Sequence, residues 1–380
     1  MIASKQIQTD ESVLTGYEIA VILPAWNEGD HIEAVLASMP GFVRHVIVVD
    51  DASSDNTAGR VLECAEIDSR IVLVRHERNQ GVGGAMLSGF RKALELQADL
   101  VVKMDADGQM PAALLPQLLL PLIRGEADYA KGNRFHDFRA LASMPKVRRA
   151  GNMMLSFLTK CAVGYWSCFD PCNGYVAIRG EVLAQLPLHR IARSWFFETS
   201  MLAELYLLNA VVRDVPMPAR YGNERSHLSV TRVLLEFPPR LFACFCRRLL
   251  LKNFIYDFSM ESVYLLAGVP MLGIGLIYGL VSWFHFARAG LGAPTGTVVI
   301  PAMLITLGVQ FLLSAISEDM RGVPTEPLSR PRIRPRLRAA HREDLADGGF
   351  SRTLPASKAT SSSLSATLSP VIGADENMSP

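Results

Sequence analysis

The sequence predicts an α/β domain built on a mainly parallel sheet, followed by two helices long enough to cross a membrane. Two observations carry this reading. Residues 17–130 alternate short apolar runs with helical segments, the order that gives parallel strands covered by helices on both faces. Further on, the stretches at about 263–286 and 297–316 contain no Lys, Arg, Asp or Glu, and each reaches the ~20 residues that a bilayer requires. Composition agrees: of 380 residues, 49% are hydrophobic and 20% charged, and the mean hydropathy of +0.21 is high for a wholly soluble chain. A formal net charge of +1 argues against a nucleic-acid binder driven by overall basicity. The six cysteines are scattered, without paired C-x-x-C knuckles. That speaks against a structural zinc site and makes a reduced cytosolic setting the default.

Taken in order, residues 1–16 lack an apolar core, so they read as a flexible N-terminus without a cleaved signal peptide. The α/β domain is expected over 17–228. GYEIAVILP is a strand ending at Pro24, DHIEAVLASMP a short helix, and HVIVVDDAS a buried strand ending in acids. NTAGRVLECAEI is a helix capped by Ser54, Asp55 or Asn56. RIVLVRH is a strand, VGGAMLSGFRKALELQ a helix, DLVVKMDADG a second strand ending in acids, and PAALLPQLLLPLIRG helical despite its prolines. Ligands bind outside the carboxyl ends of strands in such sheets. The sequence places Asn27, Glu28, Asp50, Asp51, Asp105, Asp107 and Gln109 there.

Residues 229–260 mix apolar and basic side chains. They read as one or two amphipathic helices on the inner membrane surface, or as a helix buried against the domain. Residues 261–318 form the transmembrane hairpin, and 319–380, rich in Arg, Pro and Ser, a disordered tail. Arg240, Arg247, Arg248 and Lys252 precede the spans, and Arg321 with RPRIRPRLRAAHR follows them. The excess of positive charge on both flanks predicts a multi-pass protein of the inner membrane, with two spans and with domain and tail cytoplasmic. Trp283 and Tyr264 lie near the ends of the first span, where aromatic belts sit.

Asp105-Ala106-Asp107 follows the apolar run LVVKM. Two carboxylates at a strand end can converge on one hard cation, Mg2+ or Mn2+, and such a cation can bridge them to a diphosphate. Gln109 offers a further oxygen. An ordinary acidic loop is the alternative. Asp50-Asp51 and the PAWNE turn, at the spacing of successive αβ units, favour the cation site.

PAWNE (24–28), VVDDASSDNT (48–57), NQGVGGA (79–85), MDADGQMP (104–111) and GNR (132–134) resemble glycosyltransferase family 2. The likeness is strongest to its dolichol-phosphate mannose synthase branch of polyprenyl-phosphate glycosyltransferases, and covers about residues 18–260. The pair of spans resembles the membrane anchor that some members carry. The resemblance implies a GT-A fold, the Rossmann-like sheet of nucleotide-diphospho-sugar transferases. It places Pro24, Trp26 and Glu28 around the base and ribose of a UDP- or GDP-sugar, with Asp50 accepting hydrogen bonds from the base. Trp26 stands where the family often has Tyr, and Glu28 also suits the first turn of a helix. Asp105 and Asp107 are implied in nucleotide and metal contacts, with Gln109 as a further metal ligand.

Arg134 matches the family's G-x-R position. Arg148 with Asn152 resembles its R-x-x-x-S acceptor-phosphate motif, Asn replacing Ser; guanidiniums suit a lipid phosphate because they bind it bidentately. Arg149 can equally be a headgroup-facing charge. FDPCNGYVAIRGEVL (169–183) resembles the segment lining the sugar and acceptor pocket. There Asp170 holds sugar hydroxyls, acts as a base, or caps the turn before Pro171. Phe196, Phe197 and Glu198 fall near the same pocket by resemblance. MPARYGNERSHLSV (217–230) resembles a loop that closes over the diphosphate, with Arg220, Arg225 and Ser226 in place. One extra residue separates Gly222 from Ser226, and His227 sits where Lys is frequent.

The implied enzyme is a metal-dependent, inverting glycosyltransferase with Asp107, Asp170 and Arg220 as its catalytic group. It moves a sugar from a nucleotide donor to undecaprenyl or dolichyl phosphate for glycan or cell-surface polysaccharide assembly. A lipid phosphate is already anionic at neutral pH, which accounts for the lack of a Ser-His-Asp arrangement. A glycosyltransferase acting on a lipid-linked saccharide would share the donor site, and a non-catalytic membrane scaffold would keep the fold alone. A processive synthase is disfavoured because no Q-x-x-R-W string occurs, and a dehydrogenase because no G-x-G-x-x-G follows the first strand. Self-association is left open.

Overall fold

A computed structural model of the chain describes residues 11–134, 146–171, 173–218 and 230–328. Seven strands form one sheet: β1 (Ile19–Ala25), β2 (His45–Asp50), β3 (Ile71–Arg75), β4 (Leu100–Lys103), β5 (Tyr129–Asn133), β6 (Val176–Arg179) and β7 (Val212–Pro216). Their order is β3-β2-β1-β4-β6-β5-β7. The first four are parallel, as the repeated αβ units require. β6, inside the segment read as pocket lining, runs antiparallel to both β4 and β5, and β5 pairs in parallel with β7. The two reversals cancel. β5 and β7 therefore point the same way as β1, β2 and β4, and all five carboxyl ends lie on one edge.

Alternation along the strands feeds two cores. Ile19, Val21, Leu23, Val46 and Val48 face one side, with helices α2 (Ile32–Ala37), α3 (Thr57–Ile67) and α5 (Leu115–Ile123). Ala20, Ile22, Ile47 and Val49 face the other, with α4 (Val82–Glu95) and α8 (Phe197–Leu207). Within the stretch expected to be flexible, Glu11–Leu14 turns as the short helix α1 and buries Leu14 in the first core.

A further layer contains α6 (Lys146–Val163), after which the four-residue α7 (Gly180–Leu183) follows β6 directly. The juxtamembrane segment is one helix, α9 (Val230–Leu250), which widens into a π-helical turn over Leu251–Tyr256. α9 buries Leu241 while exposing Phe242 and Leu250. The two apolar helices are α10 (Met260–Ala289) and α11 (Thr295–Arg321), 30 and 27 residues long. Each exceeds the charge-free window seen in the sequence, and both are long and apolar enough to cross a bilayer. Gly308 lets them touch: a Cβ there would stand 2.7 Å from the backbone nitrogen of Leu272, the close approach that small residues permit between such helices.

Charged side chains fix the hairpin to the domain. Arg248, 1% exposed, donates to both carboxylate oxygens of Asp319 on α11 at 2.5 and 3.0 Å. Its Nε donates to the Ala162 carbonyl and its second Nη2 N–H to the Cys161 carbonyl. Lys252 donates to Asp319 at 3.1 Å, to Glu261 at the start of α10 at 3.0 Å, and to the Tyr206 hydroxyl at 2.8 Å. The Trp166 indole donates to Asp319 at 2.9 Å. Beyond the hairpin, the Leu328 N–H donates to buried Asp128 at 3.0 Å. Buried charges are tolerated only when paired in this way.

Candidate active site

The carboxyl ends of β2, β1 and β4 lie side by side. After β1 the chain makes the PAWNE turn, with Asn27 in the left-handed region (φ 58°), where Asn is among the residues that tolerate it. The turn is locked to the loop after β2. The Asn27 N–H donates to Ser53 Oγ, Glu28 N–H to Thr57 Oγ1 and Gly29 N–H to Asp55, each at 2.9 Å. Asn27 Oδ1 accepts from Ser54 N–H at 2.8 Å. Burial pushes the Asp55 carboxyl up, but the hydrogen bonds from Thr57 and Gly29 outweigh it and hold the group below its ordinary value. The frame leaves the Trp26 indole 49% exposed, with Pro24 and Glu28 partly buried beside it.

The two acids ending β2 do different work. Asp50 is fully buried and accepts from Ser53 N–H at 3.0 Å. Its Oδ2 makes no hydrogen bond, although Arg75 Nε lies 3.3 Å away. The guanidinium is close to Oδ2 without being aimed at it. Asp51 is consumed structurally: it accepts from Gln80 and Gly81 N–H groups, each at 2.8 Å, and meets His76 Nδ1 at 2.7 Å. The glycine run NQGVGGA is likewise structural, because the Gly84 N–H donates to the Arg193 carbonyl at 3.1 Å. The helix start at α4 is covered by that loop.

At the end of β4, Asp105 and Asp107 are partly exposed. The Gln109 N–H donates to Asp107 Oδ1 at 3.0 Å, which curls the loop so that Asp107 and Gln109 stay together. Asp105 Oδ1 accepts at 2.6 Å from Lys103 Nζ. Lys103, 2% exposed, also lies 3.5 Å from Glu198 Oε1 and 3.3 Å from the Gly174 carbonyl. Burial lowers the proton affinity of this amine, but Asp105 and Glu198 outweigh it and hold it above the ordinary lysine value. Sequence reading left Lys103 unassigned and Glu198 without a role. The available signal was a lysine in a strand whose other residues are all buried and apolar, since such a cation demands an anion.

Among the described residues no group of three or more His, Cys, Asp or Glu is gathered as a metal cage. The donor set still fits a hard cation. Asp105 already carries an ammonium on one oxygen, and two carboxylates with one amide are too few to enclose Mg2+ or Mn2+ without oxygens from a diphosphate.

Across β6, Arg134 follows β5. Its Nε donates to Asp170 Oδ2 at 2.9 Å and Nη2 to Oδ1 at 3.3 Å. Asp170 is 1% exposed, so the two residues, assigned separate roles from sequence, form one bidentate pair. Asp214 on β7 aligns both partners through their neighbours, accepting from Phe169 N–H at 2.7 Å and Asn133 Nδ2 at 3.1 Å. Burial pushes the Asp214 carboxyl above its ordinary value. Arg148 and Asn152 lie on α6, where only the backbone is described at those positions. Arg220, Arg225 and Ser226 lie outside the described residues, as do residues 1–10 and the tail beyond 328.

The fold and this strand-end edge define a transferase of the GT-A class, carried beside a two-helix apolar hairpin. The sequence pattern of glycosyl transferase family 2 matches residues 20–186, and the chain belongs to that family. Among its relatives, the UDP-N-acetylglucosamine–dolichyl-phosphate N-acetylglucosaminyltransferase of Methanococcus voltae is 31% identical over 234 residues, 58% of this chain and 92% of the relative. The undecaprenyl-phosphate mannosyltransferase of Micrococcus luteus is 29% identical over 202 residues, 52% of this chain and 82% of the relative. A solved structure of glucosyl-3-phosphoglycerate synthase from Mycobacterium tuberculosis is similar, with a TM-score of 0.47 at 24% identity, covering 63% of this chain and 82% of that one.

Proposed function

We propose that this chain transfers a sugar, with inversion, from a UDP- or GDP-sugar to polyprenyl phosphate at the cytoplasmic face of the inner membrane. The observation that carries the reading is the gathering of Asp50, Asp105, Asp107 and Arg134 at carboxyl ends that share one sheet edge. The names of the relatives, which act on dolichyl and undecaprenyl phosphates, support the acceptor class.

Trp26 offers a flat apolar face to the nucleoside. Asp50 Oδ2, lacking a hydrogen bond, accepts one from the base once exposed Arg75 moves aside. Asp105, Asp107 and Gln109 would hold Mg2+ or Mn2+, which when bound would supply neutralising charge to the departing diphosphate. Arg134, aimed by Asp170, receives the acceptor phosphate together with Arg148 and Asn152, and the loop bearing Arg220 covers the diphosphate. An acceptor phosphate oxygen attacks the anomeric carbon as the diphosphate oxygen leaves. The attacking oxygen is already an anion, so no proton has to be removed, and orientation and charge stabilisation provide the rate. The exposed Met153, Met154 and Phe157 of α6 and nearby Phe169 give this side an apolar surface for the leaflet that holds the polyprenyl chain.

The test is transfer from radiolabelled UDP- and GDP-sugars to undecaprenyl phosphate in detergent. Wild type is expected to label the lipid, and Asp107→Ala to lose at least about 100-fold, the scale of one removed charge-stabilising group. Transfer to a lipid-linked saccharide alone would overturn the acceptor. Absence of nucleotide binding with Mn2+ would overturn the enzyme reading in favour of a scaffold.

A further inference from the structure

Lys103 poses a problem that the donor-site reading does not solve. Its ammonium is buried, and its nearest anion is Asp105 at 2.6 Å. Asp105 is also a carboxylate that the donor complex needs. If Asp105 turned toward a nucleotide-bound cation, the buried ammonium would lose its shortest ion pair and keep only Glu198 as an anion, beside the Gly174 carbonyl, and a buried charge left without a counter-charge is strongly destabilising. Glu198 stands on the other side, 3.5 Å from Nζ, at the first turn of α8 and mostly buried. Gly174 leaves room for the Lys103–Asp105 pair, since a Cβ there would stand 2.4 Å from Nζ and 3.1 Å from Asp105 Oδ2. Phe197 sets the helix position by packing against Phe90, ring centroids 6.0 Å apart.

We propose that Glu198 is a positioning residue for the donor site: it takes over the Lys103 ammonium when Asp105 turns to the nucleotide–cation complex. The inference rests on the donor-site reading above. Lys103 acts as an internal cation that occupies Asp105 while the site is empty. Glu198 is the second seat that lets it give way, so charge stays paired in both arrangements. Removing the charge of Glu198 leaves Lys103 only one anion and locks Asp105 in the ion pair. Removing both charges frees Asp105 again.

The test is Mn2+ binding to the full-length protein in detergent in the presence of UDP or GDP, read by electron paramagnetic resonance, with thermal unfolding as the check on folding. Glu198→Gln is expected to bind Mn2+–nucleotide about tenfold more weakly than wild type. Glu198→Asp, which keeps the charge, should stay within about threefold. The double variant Lys103→Met with Glu198→Gln should recover to within about threefold. A purely structural role predicts the opposite ordering, with the double variant weakest. Unchanged binding by Glu198→Gln, or a double variant no better than that single one, overturns the inference. Should Glu198→Gln fail to fold, the double variant against wild type decides, since weak binding by a folded double variant also overturns it. If wild type binds neither nucleotide with Mn2+, the donor-site reading itself fails, a distinct result.

Discussion

Asp55 shows how one carboxylate can hold two loops of the strand-end edge together. Its carboxylate accepts from the Thr57 N–H at the start of α3 at 3.0 Å and from the Gly29 N–H at 2.9 Å, tying the Trp26 turn to the loop after β2. Asp55→Ala should cost about 1 kcal/mol of stability, the usual net worth of a hydrogen bond. Its folded carboxyl is held below the ordinary value. The stabilisation is therefore full above about pH 4, where the unfolded carboxyl is ionised, and is lost as pH falls through the folded value. Unfolding of wild type and Asp55→Ala across pH should show a gap at pH 7 that narrows below about pH 4; a gap independent of pH would contradict the assignment. At this scale the sequence was informative wherever a residue sits at a strand end beside its own motif, as with Asp50, Asp105 and Gln109. It was silent where partners come from distant segments. Nothing local to Lys103 points to Glu198, and nothing near Arg134 says that its guanidinium is aimed by Asp170.

Elements were legible in proportion to their locality. The first four strands and their helices could be read because each αβ unit closes on its neighbour, and the continuous apolar runs of β1 and β2 match strands buried on both faces. The reversal of β6 was not legible. Its direction is set by pairing with β4 and β5, and the same apolar run would fit either sense. The two long helices were found by hydropathy, but their ends were not, because Glu261, Glu318 and Asp319 look like flanking solvent charges. In the structure Asp319 belongs to α11 and receives Arg248, Lys252 and Trp166. Asp319→Ala strips the counter-charge from a guanidinium that is almost wholly buried, and should destabilise by about 3–5 kcal/mol. The measurement is thermal unfolding in detergent. A loss below about 1 kcal/mol would mean that Arg248 finds water there.

For the whole molecule, the hairpin's attachment puts the domain and both outer helix ends on the same side of any bilayer that the two helices cross. Lys252 grips Glu261 at the start of α10 and Asp319 near the end of α11, so both of those helix ends face the domain. The link between the helices, which contains Gly292, lies at the far end. On a cysteine-free background, Gly292→Cys in intact cells should react with a membrane-impermeant maleimide. Ile67→Cys, 90% exposed on the domain, should react only after lysis. Labelling of both without lysis would overturn the cytoplasmic placement.

The Arg248–Asp319 and Lys252–Glu261 pairs also bear on how the protein is handled at the bench. A water-soluble fragment trimmed before Met260 would keep two cations in its globular part and discard the carboxylates that neutralise them, while Trp166 would lose its acceptor. Tyr206 is joined to that same cluster, and it closes the helix whose opening turn carries Glu198. Damage from such trimming would therefore start at the far end of a rod that reaches the ion pair of Lys103 and Glu198, and poor catalysis by a shortened version would say little about the intact polypeptide.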